Sequence, residues 1–269
     1  MLRTLLARLH QRHRTMSYPD GPPPALPGRF RGRPLIDVAK CPDDCRVCAD
    51  ACPTEAIAID GGVRVDLGRC LFCTDCADAC PTGAITHSPD WRLATSSRDA
   101  LVVAAGEELR LANVLDERLR RLFGRSLRLR QVSAGGCNAC EADLNVLSTV
   151  GWDIARFGIQ VVASPRHADG ILVTGCISEN MTLALRKTWD AVPPPKLVIA
   201  VGACAISGGP FRTNPQQLGG VPGAGLPVDL FIAGCPPHPL TILDGMLRML
   251  GRLQRDGRVP GLTPDTARP

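Results

Sequence analysis

Apolar positions divide the chain into two kinds of text. From Leu127 onward, short apolar runs recur without strict alternation: Leu127–Val132, Gly158–Val162, Ile171–Thr174, Leu197–Val201 and Val228–Ala233. Such runs suit strands buried on both faces of a parallel sheet. Helical spacing between them predicts helices over Glu141–Val150, Asn180–Ala191 and Leu240–Arg255. Strand, loop and helix in repetition predict a doubly wound α/β sheet. Upstream the pattern is different. Trp91 to Val103 reads as a strand pair or extended crossing. Leu109, Leu115, Leu119 and Leu122 fall at helical spacing, with Arg118, Arg120 and Arg121 opposite, which predicts a linking helix over Leu109–Leu122.

The first residues, MLRTLLARLHQRHR, place Leu2, Leu5, Leu6 and Leu9 on one helical face, with Arg3, Arg8, Arg12 and Arg14 around the rest. A basic amphipathic helix of this kind lies on a membrane surface, docks on a partner or frays in solvent. Ser17 to Pro34 holds Pro19, Pro22, Pro23, Pro24, Pro27 and Pro34, and is expected as an extended strap or linker. Arg29, Arg31 and Arg33 in it meet either a partner or water.

Composition sharpens this picture. The 269 residues are enough for two domains, and 45% hydrophobic content supports a core in each. Aromatics are 4%, which suits small-residue packing. Thirteen cysteines, with no signal peptide or twin-arginine leader recognised, argue for metal binding in a reducing compartment. No apolar run approaches the ~18 residues of a membrane span.

The cysteines carry the chemistry. ADACPTEAI (Ala49–Ile57) and ADACPTGAI (Ala77–Ile85) repeat at 28 residues. Each closes a run: Cys41-x3-Cys45-x2-Cys48-x3-Cys52-Pro53, then Cys70-x2-Cys73-x2-Cys76-x3-Cys80-Pro81. Three thiolates on one tight loop hold three irons of a cube, and the fourth iron is reached from elsewhere. Zinc is the alternative for CxxC pairs. The repeated CxxCxxCxxxCP without a nearby His favours iron–sulfur. Leu35 to Pro89 therefore resembles a two-cluster [4Fe–4S] ferredoxin. That resemblance implies one cluster on Cys41, Cys45, Cys48 and Cys80, and another on Cys70, Cys73, Cys76 and Cys52. The x3 gap from Cys41 to Cys45 departs from the family pattern by one residue, expected as a bulge. The formal charge is +5 with neutral thiols. Clusters at about −2 each would bring a three-cluster chain near −1, so the basic balance implies no nucleic-acid partner.

Five more cysteines sit beyond the carboxyl ends of the expected strands, where open α/β sheets build their sites: Cys137, Cys140, Cys176, Cys204 and Cys235. Glycines crowd the same loops, and sequence logic alone does not choose four ligands from the five. GGCNACEAD, ARFGIQVVASPRHADGILVTG, IAVGACAISGG and GCPPHP resemble the small electron-transfer subunit of membrane-bound energy-converting [NiFe] hydrogenases of the formate hydrogenlyase type. They are also similar to the terminal-cluster subunit of respiratory complex I. The resemblance implies ligands at Cys137, Cys140, Cys204 and Cys235, with Cys176 a buried non-ligand. Complex I subunits usually carry adjacent cysteines at the first pair, whereas Cys137-Asn138-Ala139-Cys140 has the hydrogenase spacing. The family's acid falls on Asp143, an expected proton relay with Glu141 as neighbouring substitute. The alternative is that both acids cap the following helix. Arg166 and His167 are expected on a loop at the site's edge, tuning the cluster or shaping the turn. His238 either donates to the cluster or caps the last helix. The N-terminal half resembles the separate ferredoxin subunit of the same complexes, so the chain looks like two subunits fused.

The expectation is thus a two-cluster bacterial ferredoxin domain (35–90) followed by a flavodoxin-like doubly wound parallel sheet domain (127–258). They are flanked by a helix and strap (1–34), a linker with helix (91–126) and a flexible tail (259–269). Three [4Fe–4S] clusters would carry electrons between a donor subunit and a catalytic large subunit, beside membrane-embedded subunits on the inner face of the cell membrane. The chain would be an oxidoreductase subunit without a complete active site, since it shows no spare nickel-type CxxC pair, no GxGxxG and no Walker loop. The rivals are the same wire in a complex I-like NADH/quinone oxidoreductase and a non-redox interaction protein with structural clusters.

Overall fold

The computed structural model describes residues 2–11, 14–42 and 45–253. The x3 bulge at Asp43 and Asp44, Arg12, and the tail from residue 254 lie outside them. In chain order the elements are α1 (Leu2–Gln11), β1 (Pro34–Ile36), α2 (Val47–Asp50), β2 (Ile57–Ala58), β3 (Arg64–Asp66), α3 (Asp75–Asp78), β4 (Ile85–His87), β5 (Ala94–Thr95) and β6 (Val102–Ala104). There follow α4 (Glu117–Phe123), β7 (Leu127–Ser133), α5 (Ala139–Val146), β8 (Ile159–Val161), β9 (Gly170–Thr174), α6 (Glu179–Ala191), β10 (Leu197–Val201), α7 (Ala203–Ser207), β11 (Leu230–Ile232) and α8 (Pro239–Met249).

The sequence repeat is a structural repeat. Shifted by 28 residues, α2 becomes α3 and β2 becomes the start of β4. The turn after each Cys-Pro needs a left-handed residue. Gly83 takes it at φ 62° in the second copy, and Glu55 takes it at φ 49° in the first. Two small antiparallel sheets, β1–β4 and β2–β3–β6, frame this ferredoxin-like half.

The second half is one six-stranded sheet in the order β5-β11-β10-β9-β7-β8. β7 to β11 are mutually parallel, and β5 adds antiparallel at one edge. Counted within the parallel set, the order is second, first, third, fourth, fifth, as in the flavodoxin-like doubly wound fold. β9 and β10 are buried along their whole length, which is why their sequences do not alternate. Their side chains still point to opposite faces. Ile171, Val173, Val198 and Ala200 enter one core, while Leu172, Leu197, Ile199 and Val201 enter the other.

The first core crosses between the halves. It joins Ile57, Val65, Leu67, Phe72 and Ile85 of the ferredoxin-like half to Val132, Ile171, Val173 and Phe231 of the sheet. Polar contacts reinforce the seam. Ser207 Oγ donates to the carbonyl of Gly68 (2.8 Å), and Arg98 forks onto both carboxylate oxygens of Asp66 (2.8 and 2.5 Å). The second core lies under α5 and α8 and takes in Tyr18 from the strap. Tyr18 donates to Asp244 Oδ1 (2.9 Å), and Asp244, fully buried, also receives Arg248 Nε (2.6 Å). Arg156 donates to the carbonyls of Met16 (2.5 Å) and Tyr18 (2.6 Å). From Met16 onward the strap is therefore latched to the sheet rather than running free.

Three helices are shorter than their periodicity predicts: α5 stops at Val146 rather than Val150, and the linking helix and α8 are cut back as well. The linking helix begins at Glu117, because Asp116 caps it by accepting the Leu119 N–H (2.9 Å). Upstream, Ala112 and Leu115 spend their N–H groups on the carbonyls of Ala94 and Met249. α8 ends at Met249 because Gly251 adopts φ 68°, the left-handed conformation that closes helices.

Asp244→Ala should destabilise the chain by about 3–5 kcal/mol, since it leaves Arg248 without its partner in a nearly closed site. Tyr18→Phe should cost about 1–3 kcal/mol. Denaturant unfolding of the anaerobically prepared chain checks both.

Candidate functional site

The first group of thiols gathers between the two repeats. A single 3-10 turn over Val38–Lys40, capped by Asp37, delivers Cys41. Cys48 rides on α2, and Cys80 arrives from the end of α3 in the other copy. Cys41, Cys45, Cys48 and Cys80 line a cavity of about 80 Å³, closed by Ile36, Val47, Ile59, Val63 and Ile85. Burial pushes the Cys41 thiol up, and so do its neighbours Cys80 and Cys45. Cys48 is raised by burial and then by Cys45 and Cys41. Cys80 is held below the ordinary thiol value by the Thr82 hydroxyl and by the Ala84 N–H, which donates to its Sγ at 3.3 Å.

The second group is its mirror. Asp66 builds the turn that leads into it, accepting the N–H of Gly68 (2.9 Å) while its carbonyl accepts the N–H of Cys70 (3.0 Å). Cys70 is pushed up to about 12 by burial, with Cys76, Cys52 and Cys73 adding to the shift. Cys76 reaches about 11 by burial, with Cys73, Cys52 and Cys48 adding to it. Cys52 accepts the N–H of Ala56 (3.2 Å), the counterpart of Ala84 on Cys80, and Cys70 accepts that of Phe72 (3.3 Å). N–H groups aimed at sulfur favour the thiolate.

The third group is built from three loops at the carboxyl edge of the sheet. Cys137 follows β7, Cys140 opens α5, Cys204 lies on α7 after β10, and Cys235 follows β11. Cys140 is raised by burial and by Cys204, Glu141, Cys235 and Cys137. Cys204 is pushed up to about 12 by burial and by Cys235, Cys176 and Cys137. Cys137 and Cys235 are exposed, so this group opens on the surface. Glycine is required beside it. A Cβ on Gly202 would stand 2.6 Å from Cys140 Sγ, and one on Gly209 would stand 2.8 Å from Cys204 Sγ. Cys176 is buried at the group's inner side, where its Sγ donates to the Gly135 carbonyl (3.4 Å).

The groups also meet one another. Cys76 is raised in part by Cys48 of the first group, and Cys235 in part by Cys73 of the second. The Ser207–Gly68 bond supports the same junction, since Ser207 shares α7 with Cys204 and Gly68 stands two residues before Cys70. Among the described residues, no three His, Cys, Asp or Glu side chains converge closely enough for a single metal ion. In the first group the thiols stand around the cavity instead of closing on a point.

The other expected residues part company. Glu141 is buried and accepts the hydroxyls of Ser133 and Thr174, both at 2.6 Å. Burial alone would raise its carboxyl, but these two donors outweigh it and hold it below the ordinary value. Asp143 is half-buried, and burial raises it. Arg166 and His167 lie on the turn that precedes β9. That turn stands at the amino end of the strand, away from the carboxyl edge where the cysteines gather, so the expected site-edge loop is corrected. The run of hydrophobics before Cys176 belongs to β9, and the connection entering it returns from the opposite end. His238 caps α8, its Nδ1 accepting the Leu240 N–H (3.1 Å), and its ring lies edge-on to Phe30 and Trp152. Ser133 and Trp152 had no motif to announce them, and Thr174 and Ser207 lay inside ILVTG and ACAISGG with nothing in the spacing to single them out. The D-x-G of Asp66–Gly68, by contrast, is a turn signal visible in the residues themselves.

Known families match the sequence of each half. The family model described as "NADH ubiquinone oxidoreductase, 20 Kd subunit" matches residues 137–249, and a "4Fe-4S dicluster domain" matches residues 40–84. The probable membrane-bound hydrogenase subunit mbhJ of Pyrococcus furiosus is 37% identical over 54% of this chain and 90% of its own length. Formate hydrogenlyase subunit 7 of Escherichia coli is 41% identical over 53% of this chain and 56% of its own. An NADH-quinone oxidoreductase subunit of Bacteroides thetaiotaomicron is 44% identical over 42% of this chain and 57% of its own. The chain thus spans little more than half the length of the latter two but nearly all of the first. It belongs to the family of the 20 kDa subunit of NADH ubiquinone oxidoreductase, with a 4Fe-4S dicluster domain ahead of the family region.

Proposed function

We propose that this chain is the electron-transfer subunit of a membrane-bound hydrogenase-type complex and holds three [4Fe–4S] clusters in a row. The observation that carries this reading is the grouping of twelve thiols into three fours, with Cys48 in electrostatic reach of Cys76 and Cys73 in reach of Cys235 at the junctions. The ligand sets are Cys41, Cys45, Cys48 and Cys80; Cys52, Cys70, Cys73 and Cys76; and Cys137, Cys140, Cys204 and Cys235. Thiols standing round a space suit a multi-atom core better than one zinc ion. When bound, such clusters supply one-electron transfer.

The chain's own residues do the rest. Burial and mutual repulsion disfavour four thiolates together, so each group is poised for a cationic core that ionises them. The N–H groups of Ala56, Phe72 and Ala84 stabilise charge on sulfur. Ile36, Val47, Ile59, Val63 and Ile85 exclude water from the first group. The shared core and the Arg98–Asp66 fork fix the separation of the halves, which replaces association of two subunits by a permanent contact. The exposure of Cys137 and Cys235 leaves the third group open to cover by a catalytic large subunit. A donor subunit would meet the first group at the far end. Among the described residues no helix is long and apolar enough to cross a membrane. Asp143, half-buried beside the third group and without a hydroxyl clamp like that on Glu141, is the better placed of the two acids to pass protons at that interface.

The identity with an NADH-quinone oxidoreductase subunit favours a second destination, a quinone-reducing partner. Near-stoichiometric nickel in the intact complex, isolated anaerobically, supports the hydrogenase partner, and its absence moves the destination to quinone.

Cys235→Ser should cut iron from about twelve to about eight per chain and spare the two ferredoxin-like clusters, whereas Cys176→Ala should keep all of it. Retained iron in the first variant and loss in the second would transfer the ligand role to Cys176. Gly202→Ala should show the same selective loss as Cys235→Ser, because its Cβ would meet Cys140 Sγ at 2.6 Å. Iron analysis and low-temperature EPR of the reduced chains read all three.

A further inference from the structure

The electron path leaves one element unused. Among the described residues nothing covers α1: Leu2 to His10 are all exposed, with Leu2 at 71%, Leu5 and Leu6 at 56% and Leu9 at 74%. Ten residues are fewer than the ~12–15 an isolated helix needs in water, so something outside this chain must sustain it. At 3.6 residues per turn the four leucines span about 100° of the helix, and Arg3 and Arg8 stand about 110° to either side of the stripe's centre. Basic side chains flanking an apolar stripe on both sides reach up to phosphates while the leucines sit below them. No acidic residue occurs before Asp20, and Arg12 and Arg14 extend the positive run.

The root of the helix is fixed. Thr15 Oγ1 donates to the carbonyl of Val150 (2.9 Å), and the Met16 N–H donates to that of Gly151 (2.9 Å). Val150 is itself 71% exposed and adds apolar surface where the helix departs. The neighbouring Trp152 touches His238, three residues from Cys235. A surface held by α1 is thereby tied to the third thiol group.

We propose that α1 lies on an anionic lipid surface, with Leu2, Leu5, Leu6 and Leu9 at the acyl boundary and Arg3 and Arg8 at the phosphates. The symmetric basic flanks favour a flat charged surface over a protein groove. This inference stands apart from the cluster assignment. It is tested by co-sedimentation of the full iron-loaded chain with vesicles of phosphatidylglycerol mixed into phosphatidylcholine. The chain should bind these vesicles, bind pure phosphatidylcholine far more weakly, and dissociate as salt rises. Arg3→Gln with Arg8→Gln should weaken binding by about thirtyfold. Leu5→Glu with Leu6→Glu should abolish it, and because both leucines are exposed, iron content should stay unchanged. Failure of the unaltered chain to bind phosphatidylglycerol vesicles overturns the proposal, as does binding undiminished in both double variants. A chain that ignores lipid but is retained by its membrane-embedded partner in detergent overturns it too, and assigns the leucine face to protein.

Discussion

Four thiols drawn into one low-polarity pocket resist ionising together, and much of this molecule is arranged around that resistance. Cys70, Cys76 and Cys204 are all driven well above the ordinary thiol value by burial and by neighbouring thiols. A cationic core reverses the balance, because metal binding deprotonates its thiols outright. The surrounding structure therefore serves two ends. It brings sulfurs together from distant parts of the chain, and it supplies N–H donors and apolar walls that determine how much charge the site tolerates.

The duplicated half and the sheet solve this differently. In the duplicated half, each tight loop provides three thiols and the other copy provides the fourth, so the two groups cannot form independently. In the sheet, three separate loops converge, one of them carrying two cysteines, and each needs its strand in register before its thiols arrive. The parallel order of β7 to β11 places those loops along one edge. Phe72, Leu67 and Val65 then pack in the same core as Val173 and Phe231. A continuous core between the halves makes their separation a property of packing, which is rigid, instead of a property of a linker, which is not.

Much of this was legible in the residues. The 28-residue repeat announced the duplicated half, and non-alternating runs such as Leu197–Val201 announced strands buried on both faces. Glycines such as Gly202 and Gly209 marked loops that pass close to sulfur. Other features depend on contacts distant in sequence and left no local trace. Tyr18 lies in a proline-rich stretch that reads as a free strap, yet it is buried against Asp244, 226 positions away. Glu141 read as a substitute proton relay or a helix-capping acid, but Ser133 and Thr174 come from two strands to hold it. Arg166 and His167 sat between two apolar runs, and only the direction of β9 reveals that they lie at its amino end. The linking helix failed over Leu109–Leu115 because β5 and α8 take the backbone hydrogen bonds that periodicity had assigned to a helix.

The proposed electron path rests on three reducible clusters held in a row on one chain. A reductive titration of the anaerobically purified chain, followed by EPR, tests this most directly. The account predicts three [4Fe–4S] signals that integrate to about three spins per chain at full reduction, with magnetic coupling between neighbours. Fewer than three reducible centres, or iron that never titrates, would contradict it.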